Sequence, residues 1–124
     1  MSIYLDLFPV RQYNKVACDE EIWVPTRLRF GADYEFFGQI NGTFEEFEGE
    51  PIVEPTELPL GAKVSFPTIE GEQITDEDGF GNKLTFLRAV DFKNLEAPSS
   101  VWRQAIIDFI RSLPGDMKII LYWR

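Results

Sequence analysis

The stretch that most restricts what this chain can fold into is its last quarter, Ser99 to Arg124. From Ser100 onward Trp102, Ala105, Ile106, Phe109, Ile110 and Leu113 recur at helical period, with Arg103, Asp108, Arg111 and Ser112 between them. Such a stripe describes an amphipathic helix with those apolar residues turned inward. Pro98 stands just before it, Ser99 or Ser100 can cap its first amides, and Pro114-Gly115 ends it, since proline cannot continue a helix and glycine suits the turn beyond. Met117 to Trp123 is then almost wholly apolar and rich in β-branched and aromatic residues. That composition predicts a strand covered on both faces, or nearly so. Fourteen helical residues reach roughly 21 Å and seven strand residues roughly 23 Å, so a two-residue turn folds one element back along the other.

A length of 124 residues fits one domain that buries about two-thirds of its unfolded surface without a covalent staple. Apolar residues make up 44% and aromatic ones 15%, enough for a packed core rather than wholesale disorder. The single cysteine, Cys18, has no partner for an internal disulfide, and neither an apolar leader near Met1 nor a long apolar run occurs. The expectation is a soluble, cytoplasmic protein.

Net charge is −9, which argues against direct binding to nucleic-acid phosphates or anionic membranes, where affinity comes from clustered Lys and Arg. The charge is unevenly placed. Residues 43–79 hold eleven acids against one base, Lys63, and so carry −10, while the remainder of the chain carries +1. A near-neutral scaffold therefore bears an acidic middle.

Taken in order, Ile3 to Phe8 alternates as a strand ending at Pro9, Arg11 to Lys15 suits a turn, and Val16 to Val24 suits a second strand that Pro25 stops or sets on an edge. Leu28 and Phe30 lead into a short helix over Ala32–Ile40, with either Tyr34, Phe37 and Ile40 or Phe36 and Ile40 on its inward side, Gly38 allowing close packing, and Asn41-Gly42 as a left-handed stop. Prolines at 51, 55, 59 and 67 and glycines at 49, 61 and 71 forbid a long regular element and predict an extended excursion pinned to the body by its scattered apolar residues. Gln73 to Phe92 reads as a hairpin around Asp76 to Asn82.

The order of short motifs has a likeness. Asp33-Tyr34-Glu35-Phe36-Phe37-Gly38, Pro51-Ile52 to Pro55, Leu58-Pro59, the Ser-Ser-x-Trp of Ser99, Ser100 and Trp102, and Lys118 to Trp123 resemble a family of small proteins encoded by phages and prophages. That family runs from an N-terminal strand through an Asn-Tyr-x-Leu-Phe helix, a Gly-Leu-Pro segment and a His-Ser-x-Ser-Trp stretch to a terminal apolar strand. Many members begin with Cys-Asp-Ile-His, where this chain has Ile3, Tyr4, Leu5 and Asp6, and the later histidine is missing as well. The resemblance implies a phage origin and transfers no catalytic or metal-binding residue.

Histidine is absent, which removes the commonest general base, the usual metal ligand and the Ser-His and Cys-His nucleophile pairs. Cys18 lies beside Asp19, Glu20 and Glu21, neighbours that disfavour a thiolate. Gly79-Phe80-Gly81-Asn82 lacks the third glycine of a dinucleotide fingerprint and suits a hairpin turn. Asp76-Glu77-Asp78-Gly79 is the one metal-like run, but continuing the calcium-loop spacing from Asp76 puts Phe80 and Leu87 at liganding positions. No metal or cofactor is expected. Trp102, Phe109, Tyr122 and Trp123 are assigned to packing on the inner face of the helix–strand unit rather than to a ligand pocket.

These residues predict an α+β domain: a mainly antiparallel sheet including the first and last strands, one amphipathic C-terminal helix packed on a face, and a short second helix beside it. The function they favour is that of a non-enzymatic phage or prophage accessory protein. It binds a basic host protein through Phe44, Glu45, Glu46, Phe47, Glu48, Glu50, Glu54, Glu57, Asp76, Glu77 and Asp78, with aromatics among carboxylates as interface anchors and the acids imitating nucleic-acid phosphates to blunt a host defence system. The alternatives are a virion structural or assembly protein, and a small hydrolase built on two facing carboxylates drawn from thirteen glutamates.

Overall fold

Ser100 opens the C-terminal helix from an extended backbone (φ −88°, ψ 133°), its Oγ accepting a hydrogen bond from the Arg103 N–H. In the computed structural model, which describes residues 2–10, 12–16, 19–23, 28–40, 44–47, 50–98 and 100–124, the elements run as follows. The chain begins with β1 (Leu5–Pro9), β2 (Gln12–Val16), β3 (Asp19–Trp23), β4 (Leu28–Phe30) and α1 (Tyr34–Gly38). It continues with β5 (Thr56–Glu57), β6 (Lys63–Thr68), β7 (Gly71–Thr75), β8 (Thr85–Arg88), a 3-10 turn over Ala89–Asn94, α2 (Val101–Ser112) and β9 (Lys118–Trp123). The fold is α+β, and no helix among the described residues is long and apolar enough to cross a membrane.

β9 is the organising strand. It lies in the middle of an antiparallel five-stranded sheet ordered β4-β1-β9-β8-β5, with Leu5 opposite Trp123 and Leu87 opposite Ile119. A strand paired on both edges and covered on both faces needs apolar residues on both sides, and past Lys118 β9 supplies them. Ile119, Leu121 and Trp123 enter one core with the helices, while Ile120 and Tyr122 enter a second. β1 divides likewise, giving Leu5 and Leu7 to the first core and Phe8 to the second. The second core is closed by β6, whose Val64 and Phe66 pack beneath Phe8, with the Phe8 and Phe66 rings 4.9 Å apart. β6 belongs to a second sheet, ordered β2-β3-β6-β7, in which β3 and β6 run parallel.

Asp6 is fully buried on β1 and bridges two arginines, with Arg124 Nε 3.1 Å from Oδ2 and Arg29 Nε 3.6 Å from Oδ1. The contact ties the last residue of the chain to its first strand.

Several expectations are corrected. Arg11 to Lys15 is not a turn, since Gln12–Val16 forms a strand against Asp19–Trp23. Cys18 and the Asn41-Gly42 stop lie outside the described residues. The hairpin expected over Gln73 to Phe92 does not form. β7 turns back on β6 instead, and β8 pairs with β9 and β5; the two runs meet at an isolated bridge between Glu77 and Lys83, flanked by the Asp78 N–H on the Asn82 carbonyl and the Leu84 N–H on the Asp76 carbonyl.

The helix itself is rotated from its expected setting. Ile107 and Ile110 are buried and Ile106 and Leu113 packed against them, while Trp102 is 81% exposed, Phe109 47%, and Ala105 exposed as well. The reason lies in two arginines assigned to the outer face. Arg111 donates from Nε to the Phe92 carbonyl (2.9 Å) and from Nη2 to the Leu95 carbonyl (2.7 Å), and Arg103 reaches Asp33 at 3.9 Å. The carbonyls that end the 3-10 turn have no helical continuation and need donors. A guanidinium at the border of the core satisfies two of them at once, which turns the isoleucines, not Trp102, toward the sheet. Tyr122 and Trp123 do pack inward, as expected.

Candidate functional site

Trp123, at the end of β9, is the floor on which the acidic segment rests. Its ring lies 5.2 Å from Phe37 edge-on, 5.3 Å from Phe47 and 5.8 Å from Phe44. Asp33 caps α1 through its Oδ1 and the Phe36 N–H, and the helix so started presents Phe36 and Phe37 to the core. Just past its end the Gln39 carbonyl accepts from both Ile52 (2.8 Å) and Val53 (3.1 Å). Farther on β5 pairs with β8, Thr56 opposite Phe86 and Glu57 opposite Thr85. The excursion is therefore pinned to the body, as its scattered apolar residues predict.

Opposite stands the turn after β7. Asp78 folds inward and its Oδ1 accepts from the N–H of Phe80 (2.8 Å) and of Asn82 (3.1 Å), a side-chain turn typical of aspartate. Gly81 has φ 80°, where a side chain would be strained. Gly79 donates to the Trp123 carbonyl at 2.8 Å, and a Cβ there would sit 3.0–3.1 Å from Arg124 and that same carbonyl. The turn is thus clamped directly onto the end of β9.

Between segment and turn opens a cleft of about 930 Å³. Ile40, Phe44, Ile52, Val53 and Trp123 supply its apolar lining, with Pro51 and Pro55; Glu54, Glu57, Asp78, Asn82, Lys83 and Thr85 supply the polar one. Trp123 is only 2% exposed, and its Nε1–H is buried with no acceptor among the described residues. Asp78 is 9% exposed, and its two hydrogen bonds both fall on Oδ1, so Oδ2 has no donor among the described residues. Burial pushes the Asp78 carboxyl pKa up, aided by the Glu77 charge and opposed by the two backbone N–H groups.

The residues expected to bind a partner fall into three groups. Glu54, Glu57 and Asp78 share the cleft with Phe44. Glu45, Glu46, Glu50, Asp76 and Glu77 are exposed outside it. Phe47 and Phe44 are not the exposed anchors expected of them; both are half-buried against the first core, because Tyr34, Phe37 and Trp123 offer aromatic faces there. Glu48 lies outside the described residues. Among the described residues no three Asp, Glu, Cys or His side chains gather as a metal-binding set. Sequence reasoning missed Trp123, Asn82, Lys83 and Thr85 as cleft residues; an indole at the end of a buried strand, whose N–H must find an acceptor, is the signal that was available.

Comparison with protein families, curated proteins and solved structures returns no match, so the likeness to phage-encoded proteins rests on the short motifs alone.

Proposed function

We propose that this chain is a non-enzymatic binding protein whose acidic segment docks on a basic surface of a protein partner. The motifs that resemble phage-encoded proteins point to a host protein, and an acidic array that can stand in for phosphates favours one that ordinarily holds nucleic acid.

One observation carries this reading. Glu45, Glu46, Glu50, Glu54, Glu57, Asp76 and Glu77 are exposed, and the ion pairs among the described residues engage Asp6, Asp33 and Asp108 instead. The acids keep their charge available while an aromatic floor holds their backbone, which is what fast, salt-sensitive association needs. The hydrolase alternative draws on the same cleft, since Asp78 has a raised pKa and Glu54 and Glu57 are its neighbours there. Both glutamates are exposed to solvent, an arrangement suited to charge attraction more than to proton transfer in a dry site.

The test is capture from a host lysate with a salt series, alongside the charge-reversed variant Glu45→Lys, Glu46→Lys, Glu50→Lys. The expected outcome is a one-to-one complex with a basic protein that weakens at least about tenfold between low and high salt, is lost on charge reversal, and is displaced by a short DNA duplex. A complex indifferent to salt and to charge reversal overturns the reading; one that resists only the duplex removes mimicry and leaves acidic docking in place.

A further inference from the structure

Seating α2 on Ile107 and Ile110 leaves a second apolar stripe on its outside. Val101 is 83% exposed, Trp102 81% and Phe109 47%, and Ala105 is exposed between them. At helical spacing the four share one face, bordered on one side by exposed Gln104 and Asp108. Together the four offer on the order of 400 Å² of apolar surface, as much as the largest patch an ordinary monomer shows. With the polar border included, two such faces bury on the order of 1,000–1,200 Å² in total, which is the lower limit for specific association. We propose that α2 pairs with α2 of a second copy of this chain, antiparallel about a two-fold axis level with the Ala105–Ile106 peptide. Trp102 of each copy packs on Phe109 of the partner subunit, and the Gln104 side-chain amide donates to Asp108 of the partner subunit.

The face is complementary to itself. Trp102 and Phe109 stand equally far from the Ala105–Ile106 peptide and on the same side of the stripe, so a two-fold axis at that level brings each indole onto a phenyl ring. Gln104 and Asp108 lie on the other side and are equidistant to within one residue, roughly 1.5 Å along the helix, so a donor meets an acceptor twice. Ala105 falls beside the axis, where its small side chain lets the helices approach to about 8 Å. Charge selects the same occupant. Each copy carries −9, of which residues 43–79 hold −10, whereas Val101–Ser112 holds Arg103 and Arg111 against Asp108. Helix against helix is therefore the contact at which two acidic copies repel least. A basic partner finds only Asp108 on this face, its Oδ1 already 3.8 Å from Arg111 Nη1. An anionic one finds Arg103 turned to Asp33 and Arg111 to the Phe92 and Leu95 carbonyls. The pairing goes beyond the binding role proposed above and does not rest on it.

The test is sedimentation equilibrium of the full chain from about 5 µM to about 1 mM, where a face of this size is expected to give a dimer with Kd on the order of 100 µM. Trp102→Ala is expected to weaken it at least about tenfold. Gln104→Glu, which sets a carboxylate against Asp108 of the partner subunit, should weaken it about threefold, and Gln104→Arg should strengthen it by a similar factor. Both sites are exposed, so the variants keep the fold, and equal urea midpoints at low micromolar concentration, where the dimer is absent, confirm it. In the ¹⁵N-labelled wild-type chain the Trp102 indole resonance should move with concentration while that of buried Trp123 stays put, a readout that needs no variant. Raising the salt screens the repulsion between the copies and should leave the dimer as tight or tighter. A chain that is monomeric throughout, one whose mass grows past two copies, or a dimer untouched by Trp102→Ala overturns the inference. So does a dimer that weakens with salt, which would be held by the acidic segment instead, or one that Gln104→Glu and Gln104→Arg shift in the same direction.

Discussion

The helix–strand unit at the C-terminus and the acidic segment both lean on β9, yet they are held by different means. α2 is set by a repeated apolar spacing: Ile107 and Ile110 are fully buried, Ile106 and Leu113 pack alongside, and the 3-10 turn lies against them. The first part of the acidic segment, up to residue 60, has among its described residues only the two of β5 in regular structure, and is held by single contacts: the Gln39 carbonyl, the Phe44 and Phe47 rings on Trp123, and one short ladder to β8. The first arrangement spends its apolar groups on stability. The second keeps its glutamates exposed at the surface, where the charge of a partner can reach them.

The sharpest way to break this contrast is to truncate α2 on each side. Ile110→Ala removes a fully buried side chain and is expected to cost about 3 kcal/mol in urea denaturation, whereas Trp102→Ala, at a site 81% exposed, should change stability by no more than about 0.5 kcal/mol. Equal costs would mean that the helix is seated with Trp102 inward after all. A smaller effect follows from Arg111→Met, which keeps the stem but removes the donors to the Phe92 and Leu95 carbonyls. A loss of about 2 kcal/mol is expected, and no loss would show that these bonds do not set the rotation of α2.

The smallest effect tests the other region. Burial raises the Asp78 pKa above its ordinary value of 3.8, so as pH falls the folded chain takes up this proton before the unfolded chain does. Ionised Asp78 thus opposes folding at neutral pH, and that cost is relieved as pH drops through the raised folded value toward 3.8. Asp78→Asn is therefore expected to melt at or slightly above the wild-type temperature at pH 7, with the difference shrinking as the pH is lowered. Glu77 and Lys83 are unchanged in both proteins, so the comparison isolates the one carboxyl. A variant that melts well below wild type at pH 7 would mean that Asp78 already has a countercharge.

Particular residues show how far the sequence could be read. The helix from Ser100, its stop at Pro114-Gly115 and the strand through Trp123 follow from local rules, because caps, breakers and apolar runs act over a few residues. Which side of that helix faces the sheet did not follow. The isoleucine and the Trp102–Phe109 stripes are both apolar, and the choice falls to Arg111, whose carbonyl partners lie 16 and 19 residues away. The hairpin expected over Gln73 to Phe92 failed beyond its turn for the same kind of reason, since a turn signal says that the chain reverses and not which strand its arms pair with.

The sequence by itself determined the class of fold, the buried character of the last strand and the concentration of negative charge between residues 43 and 79, because each is a property of composition or of near-neighbour spacing. Only the tertiary structure decided that Asp78, Glu54 and Glu57 meet Trp123 in one cleft while Phe44 and Phe47 turn toward the core. Those meetings join segments far apart in the chain, and they are settled by which strand edges and ring faces are left for one another once β9 has taken its place.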